Sequence, residues 1–378
     1  MTSNTREPIE RKPLITGFCD AGRRVLDAGS EGASKSVLAY HLADCVAEGD
    51  GAEVFNSIEV EGKIIPAMKV VGGGNVLMVD EDSPSQQDVE TKLDRLALGR
   101  GFPDRTHLQY HIQVLHKTGF KFGSVHPDLI ERVRVLLPAL LVIDSLVACS
   151  NRARHTEHDP HLGLDAAAAI DEIHEASPFT TIWMLAHTGK GKEAWDLEDF
   201  RAAPMQQLVR GHGSVVGQVC DTGFCHCKLS EKPDPLRFVL IPKIRRDVTL
   251  AADPIYCELL EGEGSDGWAR VIRVPPVTPP PTKVDIFMFR VALKLGSTSL
   301  YVLSQMGLGE KYASEDRRMA IYHLQRYGIL AELPDPAEVR LSDPTTANIK
   351  YLKQLLDGCP DSPEKWLFNK KIEKWQQS

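Results

Sequence analysis

No run of apolar residues in this 378-residue chain approaches the roughly 18–20 that a membrane span needs. The opening stretch MTSNTREPIERKPL is polar and charged, without the apolar region or small-residue cleavage site of a secretory signal. Cysteine is sparse: Cys19, Cys45, Cys149, Cys220, Cys225, Cys227, Cys257 and Cys359 are scattered too thinly for a disulfide scaffold. Reduced thiols, a cytoplasmic location and no membrane partner are therefore expected. An excess of basic charge is also missing. The formal net charge is −8, which argues against a surface coated with nucleic acid and leaves any phosphate contact to local Lys and Arg. The deficit is uneven, since residues 283–378 carry 14 basic and 12 acidic side chains and the preceding residues 30 and 40.

What is present is ordinary globular material, 42% hydrophobic and 25% charged, in a length comfortable for two domains. Residues 1–16 read as an irregular arm. RRVLDA at 23–28 predicts a short strand, and KSVLAYHLADCVAEG carries apolar residues at helical spacing up to a terminating Gly49. Residues 50–74 read as a loop with a hairpin around SIEVEGKIIP, closed by the breaker GGG. NVLMVD at 75–80 is the continuous apolar run of a strand buried on both faces. Helices and strands then alternate: SQQDVETKLDRLALG, THLQYHIQVL, PDLIERVRVLL, ALLVIDSL, LDAAAAIDEIHEA and TTIWMLAH. That alternation predicts an α/β fold with a mostly parallel sheet covered by helices on both faces. Beyond Val215, GFCHCKLS, LRFVLIPKI, PIYCELLE and WARVIRV predict an antiparallel extension of the sheet.

VPPVTPPPTK at 274–283 holds five prolines and reads as a semi-rigid linker. It separates a domain at 17–273 from a segment at 284–334 with the order of a small, α-rich winged helix-turn-helix. Residues 335–378 read as a helical extension carrying Trp366 and Trp375.

The chemistry begins at DAGSEGASKS, residues 27–36. A strand, a turn holding Gly29, Ser30, Glu31, Gly32, Ala33 and Ser34, and a helix opening on Lys35 and Ser36 form a phosphate cradle. Backbone N–H groups and the helix N-terminus face the phosphates; Lys35 reaches the β- and γ-phosphates and Ser36 ligates Mg²⁺. Ser34 stands where such loops carry a second glycine, and its Cβ crowds the backbone there. Three later strands end in polar groups at the same edge. DEDSP supplies Glu81 or Asp82 to polarise a water, ALLVIDSL ends in Asp144 to hold Mg²⁺, and AHTGKG places His187.

AGSEGASKSVLAYHLA, NVLMVDEDSP, LLVIDSL, WMLAHTGKG and RGHGSVVGQVCD together resemble the RepA-type branch of RecA-fold P-loop ATPases, relatives of DnaB and KaiC, over about residues 17–250. The resemblance implies a RecA-like core that binds ATP and Mg²⁺. It makes Lys35 and Ser36 the phosphate and magnesium residues, Glu81 the catalytic carboxylate, Asp144 the second acidic motif, and His187 a sensor between nucleotide and DNA. It also implies a homo-oligomeric ring, a hexamer, whose sites are completed by cations from the neighbouring subunit. Arg210, or Lys243, Arg245 and Arg246 of KIRR, are the candidates for that role; a solvated basic strand end is the plainer alternative.

Arg152 and Arg154, with Lys190, Lys192 and Trp195, lie on two loops that leave the same edge and suit single-stranded DNA, phosphates on the cations and a base on the indole. Arg317, Arg318 and Arg326 fall on the predicted recognition helix. CDTGFCHC does not have the spacing of a two-pair zinc site, so no zinc is expected. The expected function is an ATP-dependent DNA helicase or translocase in replication of a plasmid, phage or mobile element. Two alternatives stand beside it. One is a recombination or regulatory ATPase that loads or switches a partner protein, and the other a nucleotide-gated DNA-binding module without hydrolysis.

Overall fold

The computed structural model describes residues 12–149 apart from 31, 33, 61 and 123–126, then 160–188, 200–201, 203–209, 220–229, 236–245, 253–262 and 267–276. In the C-terminal part it describes 283–295, 297–299, 317, 320–321, 324–325, 329–332, 338–341, 349–359, 361–362, 365–366, 368–370 and 372. The chain divides into two compact units, Met1–Pro276 and Val277–Ser378, with the division inside the proline-rich stretch.

A nine-stranded sheet organises the first unit. Its parallel strands are β3 (Arg24–Gly29), β8 (Val76–Asp80), β9 (Ile112–His116), β10 (Leu140–Asp144), β11 (Thr181–His187) and β12 (Thr222–Lys228). They lie in the order β12-β3-β11-β10-β8-β9. Beyond β12 the antiparallel strands β13 (Leu236–Arg245), β14 (Ile255–Glu261) and β15 (Ala269–Arg273) extend the sheet, as the sequence predicts.

The parallel strands are apolar throughout because both faces are covered. Val25, Met78, Val142 and Trp183 enter one core, while their neighbours Leu26, Leu77, Leu141 and Ile182 enter the other. Helix α1 (Lys35–Glu48) lies within the first core and is buried around most of its circumference, which accounts for apolar residues on all its faces. Phe18, Trp183 and Phe224 stack in the same core, with ring centroids 4.9–5.7 Å apart. Helix α2 (Gln86–Gly99) is capped by Ser85, whose hydroxyl accepts the N–H of Asp88. Helices α3 (Pro127–Leu136) and α4 (Pro160–Ala176) bury Val133, Ile170 and Ile173 in the second core.

Three local expectations change. Residues 13–15 are not an irregular arm: Pro13–Ile15 (β1) pairs antiparallel with Cys19–Asp20 (β2), and Leu14 and Ile15 are buried. The loop at 50–74 contains the predicted hairpin, Ile58–Val60 (β5) with Lys63–Ile65 (β6), and also the pair Glu53–Phe55 (β4) and Met68–Lys69 (β7). The strand expected at 106–115 starts only at Ile112, because the Asp104 carboxylate accepts the N–H of Thr106 and caps a 3-10 turn at Arg105–His107.

The described part of the second unit holds α6 (Lys283–Leu295), a three-stranded sheet and α7 (Ile349–Asp357), following α5 (Met205–Leu208) of the first unit. In that sheet β18 (Glu338–Leu341) pairs with both β16 (Ser297–Ser299) and β17 (Leu330–Glu332). The boundary expected after residue 334 therefore does not separate two bodies. β18 completes the sheet, and Tyr351, Leu355 and Phe368 share one core with Met288, Phe289 and Leu324. No helix among the described residues is long and apolar enough to cross a membrane.

Candidate active site

β3, β11, β10 and β8 are consecutive neighbours in the sheet, so their carboxyl ends form one continuous edge. Register aligns them closely: Gly29 lies opposite His187, and Asp144 opposite Asp80. Four sequence-distant segments thereby reach one place.

The turn after β3 opens at Gly29, where a Cβ would lie 2.5 Å from the backbone oxygen of His226 on β12. Only glycine allows that strand so close. Lys35, 6% exposed, folds back so that its Nζ donates to the carbonyls of Gly29 at 3.0 Å and Ser30 at 2.7 Å. Ser34 has φ 71° and ψ 21°, a left-handed conformation. The absent glycine therefore falls where the backbone needs a positive φ, a strain of roughly 1–2 kcal/mol for a residue with a Cβ. Glu31 and Ala33 lie outside the described residues.

The next helical residue, Ser36, donates its hydroxyl to Asp144 Oδ2 at 2.7 Å. Asp144 is 3% exposed. Burial and the neighbouring Asp80 push its carboxyl up to about 6, against the Ser36 hydrogen bond, which lowers it. A hydroxyl and a carboxylate this close, with an ammonium one residue away, suit the hard-cation chemistry of Mg²⁺ with a phosphate chain.

The turn after β8 differs from the sequence reading. Glu81, expected to face the nucleotide, has a side chain only 6% exposed. Its Oε1 accepts from Thr118 Oγ1 at 3.0 Å and from the Phe120 N–H at 3.3 Å, and its Oε2 lies 3.8 Å from Lys121 Nζ. All three partners follow β9, on the outer side of the sheet. Asp82 reaches the inner side, with Oδ2 3.7 Å from His187 Nε2 and 3.5 Å from Ser145 Oγ. His187, Ser145 and Lys35 hold the Asp82 carboxyl below its usual value, against a partial desolvation that raises it.

Asp80, Tyr40, Ser83 and Ser145 were not singled out from the sequence. Asp80 carried a signal, an acidic residue closing an apolar strand one position ahead of the acidic pair. Tyr40 carried none, because its hydroxyl meets Asp80 only through packing of α1 on the sheet.

Several expected cations are placed elsewhere. Lys243 donates its Nζ to the carbonyls of Arg201 at 2.6 Å and Ala203 at 2.8 Å, and burial lowers its pKa. It holds the backbone at Arg201 and Ala203 of its own chain. Arg317 is 4% exposed, so it does not present its guanidinium to a groove. Arg152, Arg154, Lys190, Lys192, Trp195, Arg210, Arg246, Arg318 and Arg326 lie outside the described residues, as does the side chain of Arg245. Cys225 and Cys227 share one face of β12, their sulfurs 3.6 Å apart, while His226 faces the other side against Asp27 and Phe238, as strand alternation requires.

Comparison with known proteins adds to this geometry. The chain resembles the solved RadB recombinase at a TM-score of 0.42 and 15% identity, over 68% of this chain and 92% of that one. No curated protein matches. The AAA_25 family, described as an AAA domain, matches residues 2–193, just over half of the sequence. The chain thus belongs to the AAA_25 family of AAA domains.

Proposed function

We propose that the protein hydrolyses Mg²⁺-bound ATP at the edge formed by Gly29, Asp80, Asp144 and His187, and spends the turnover on single-stranded DNA as a translocase or helicase of the RepA type. The observation that carries the hydrolytic part is the 2.7 Å hydrogen bond from Ser36 to Asp144, made across 108 positions of sequence beside Lys35. Ser36 and Asp144 would hold the metal, and Mg²⁺ when bound neutralises charge on the phosphates. Lys35 exchanges two backbone carbonyls for phosphate oxygens, a change its three donors allow. The Gly29 turn brings the backbone close enough to cradle the phosphate chain, and α1 directs its N-terminus at it.

The DNA part rests on chain direction. After Asp144 and His187 the chain leaves this edge into the segments that carry Arg152, Arg154, Lys190, Lys192 and Trp195. Assembly as a homo-oligomer, a hexamer by the RepA resemblance, belongs to the same reading. A second reading, a recombination or regulatory ATPase that loads or switches a partner without unwinding, is favoured by the burial of Arg317, which withholds that cation from a DNA groove.

Phosphate release with and without single-stranded DNA, run beside a strand-displacement assay, separates the readings. DNA-stimulated release with displacement supports the translocase, and stimulated release without displacement the second reading. Lys35→Ala should lower release by about 100-fold or more. Unchanged release in that variant would refute the hydrolytic site itself.

A further inference from the structure

Glu81 and Asp82 are adjacent in sequence, yet they leave the turn after β8 in opposite directions, and the cause is the residue before them. Asp80 is fully buried. Its Oδ1 accepts the N–H groups of Asp82 at 3.1 Å and Ser83 at 2.8 Å, and its Oδ2 accepts the hydroxyls of Ser83 at 2.7 Å and Tyr40 at 2.9 Å. Four donors on one carboxylate leave the turn a single course. In that course Glu81 points toward the segment after β9 and Asp82 crosses β10 toward β11.

The partners on each side define different jobs. Glu81 gathers Thr118, Phe120 and Lys121. Lys121 in turn donates to the carbonyl of Ala148 at 2.5 Å, and the Phe122 N–H to that of Cys149 at 2.8 Å. The Cys149 N–H returns to the Ser145 carbonyl at 2.9 Å. Glu81 is thus tied, through Lys121, to the stretch that immediately follows Asp144. To face the nucleotide instead, it would give up its hydrogen bonds from Thr118 and the Phe120 N–H and its ion pair with Lys121. Asp82 is half-exposed and stands beside His187, within the field of Lys35.

We propose that the two carboxylates divide the work of this edge: Asp82 is a positioning residue that holds His187 on the nucleotide side, and Glu81 is a latch joining residues 118–121 to the segment 145–149. The division rests on the ATPase reading above. It departs from the role that resemblance assigns to Glu81, and it makes the turn a coupling element. Asp144 and His187 sit at strand ends whose continuations carry the candidate DNA cations, and each of the two carboxylates governs one of those ends.

The experiment compares Glu81→Gln, Asp82→Asn, Asp82→Glu, His187→Ala and the double variant Asp82→Asn/His187→Ala in the full chain. Steady-state ATP hydrolysis is measured together with hydrogen exchange of peptides spanning 117–122 and 181–188. Asp82→Asn should lower kcat by about 10- to 100-fold with KM for ATP within about threefold of wild type, and Asp82→Glu should recover part of it. The double variant should be no slower than His187→Ala alone, since both changes remove one interaction. Exchange should rise at 181–188 in Asp82→Asn and at 117–122 in Glu81→Gln, and Glu81→Gln should lower kcat less than Asp82→Asn does. The proposal is overturned if Glu81→Gln abolishes turnover with wild-type exchange in both segments. It is equally overturned if Asp82→Asn turns over within about twofold of wild type with unchanged exchange. A wild-type protein that releases no phosphate refutes the ATPase reading alone, and the two exchange patterns still decide how Glu81 and Asp82 divide.

Discussion

Two turns stand side by side at the carboxyl edge of the sheet, one after β3 and one after β8, and they are shaped by opposite means. The first is a backbone structure. Gly29 gives way to the neighbouring strand, Ser34 takes a left-handed conformation, and the Lys35 ammonium closes on two carbonyls. The second is a side-chain structure, in which one buried carboxylate, Asp80, collects four donors and thereby aims its two successors. Both lean on α1, which begins with Lys35 and carries Tyr40. A carboxylate on that helix, Asp44, shows what burial does without such donors: it is fully buried and neither of its oxygens has a hydrogen-bond partner. Desolvation pushes its pKa well above the usual carboxylate range, against the opposing charge of Arg100. Burial alone does not make a carboxylate a structural anchor; the donors around it do.

The comparison breaks most visibly at Asp80. Asp80→Ala leaves two N–H groups and two hydroxyls without their acceptor, and should cost roughly 3–4 kcal/mol. That corresponds to a melting temperature lower by roughly 5–7 °C. Thermal denaturation measures it, and a loss below about 1 kcal/mol would mean the turn is held by its backbone after all.

Asp44→Asn should act in the other direction and depend on pH. The folded state keeps the Asp44 proton above the pH at which the unfolded chain releases it. The wild type therefore loses stability as pH climbs from about 4, the unfolded carboxylate value, toward the raised folded value. The asparagine variant escapes that loss. It should be more stable than the wild type at pH 8, with the difference shrinking toward pH 4. Denaturant titrations at the two pH values check the sign, and a gain independent of pH would rule out the carboxyl as its source.

The smallest effect sharpens the first turn. Ser34→Gly removes the left-handed strain and should stabilise by about 1 kcal/mol, net of the greater freedom glycine has when unfolded. Hydrolysis should be preserved or raised. A melting temperature below that of the wild type would show that the Ser34 side chain contributes something the backbone does not.

Much of this was legible in the residues. Continuous apolar runs such as LLVID and NVLMVD marked strands buried on both faces, and their polar last residues marked the edge where the site would lie. The loop at 29–36 carried its own chemistry in local order. The illegible part depended on partners distant in sequence. Nothing in EDSP says which of its acids faces inward, because that follows from Tyr40 on a helix and Thr118 beyond another strand. Lys243 and Arg317 read as surface cations because basic side chains usually are exposed. Lys243 is placed by the carbonyls of Arg201 and Ala203, and Arg317 is buried.

The alternation of strands and helices, the antiparallel extension, the P-loop and the residues at each strand end could all be read from the residues alone. These follow from short-range periodicity and from residue chemistry that needs no neighbour. The direction of Glu81 and Asp82, the sheet completed by residues 338–341 and the internal hydrogen bonds of Lys243 were settled only in the folded chain. Each depends on a hydrogen bond or a contact between segments tens of residues apart, and such pairings exist only once the sheet has set its strand order.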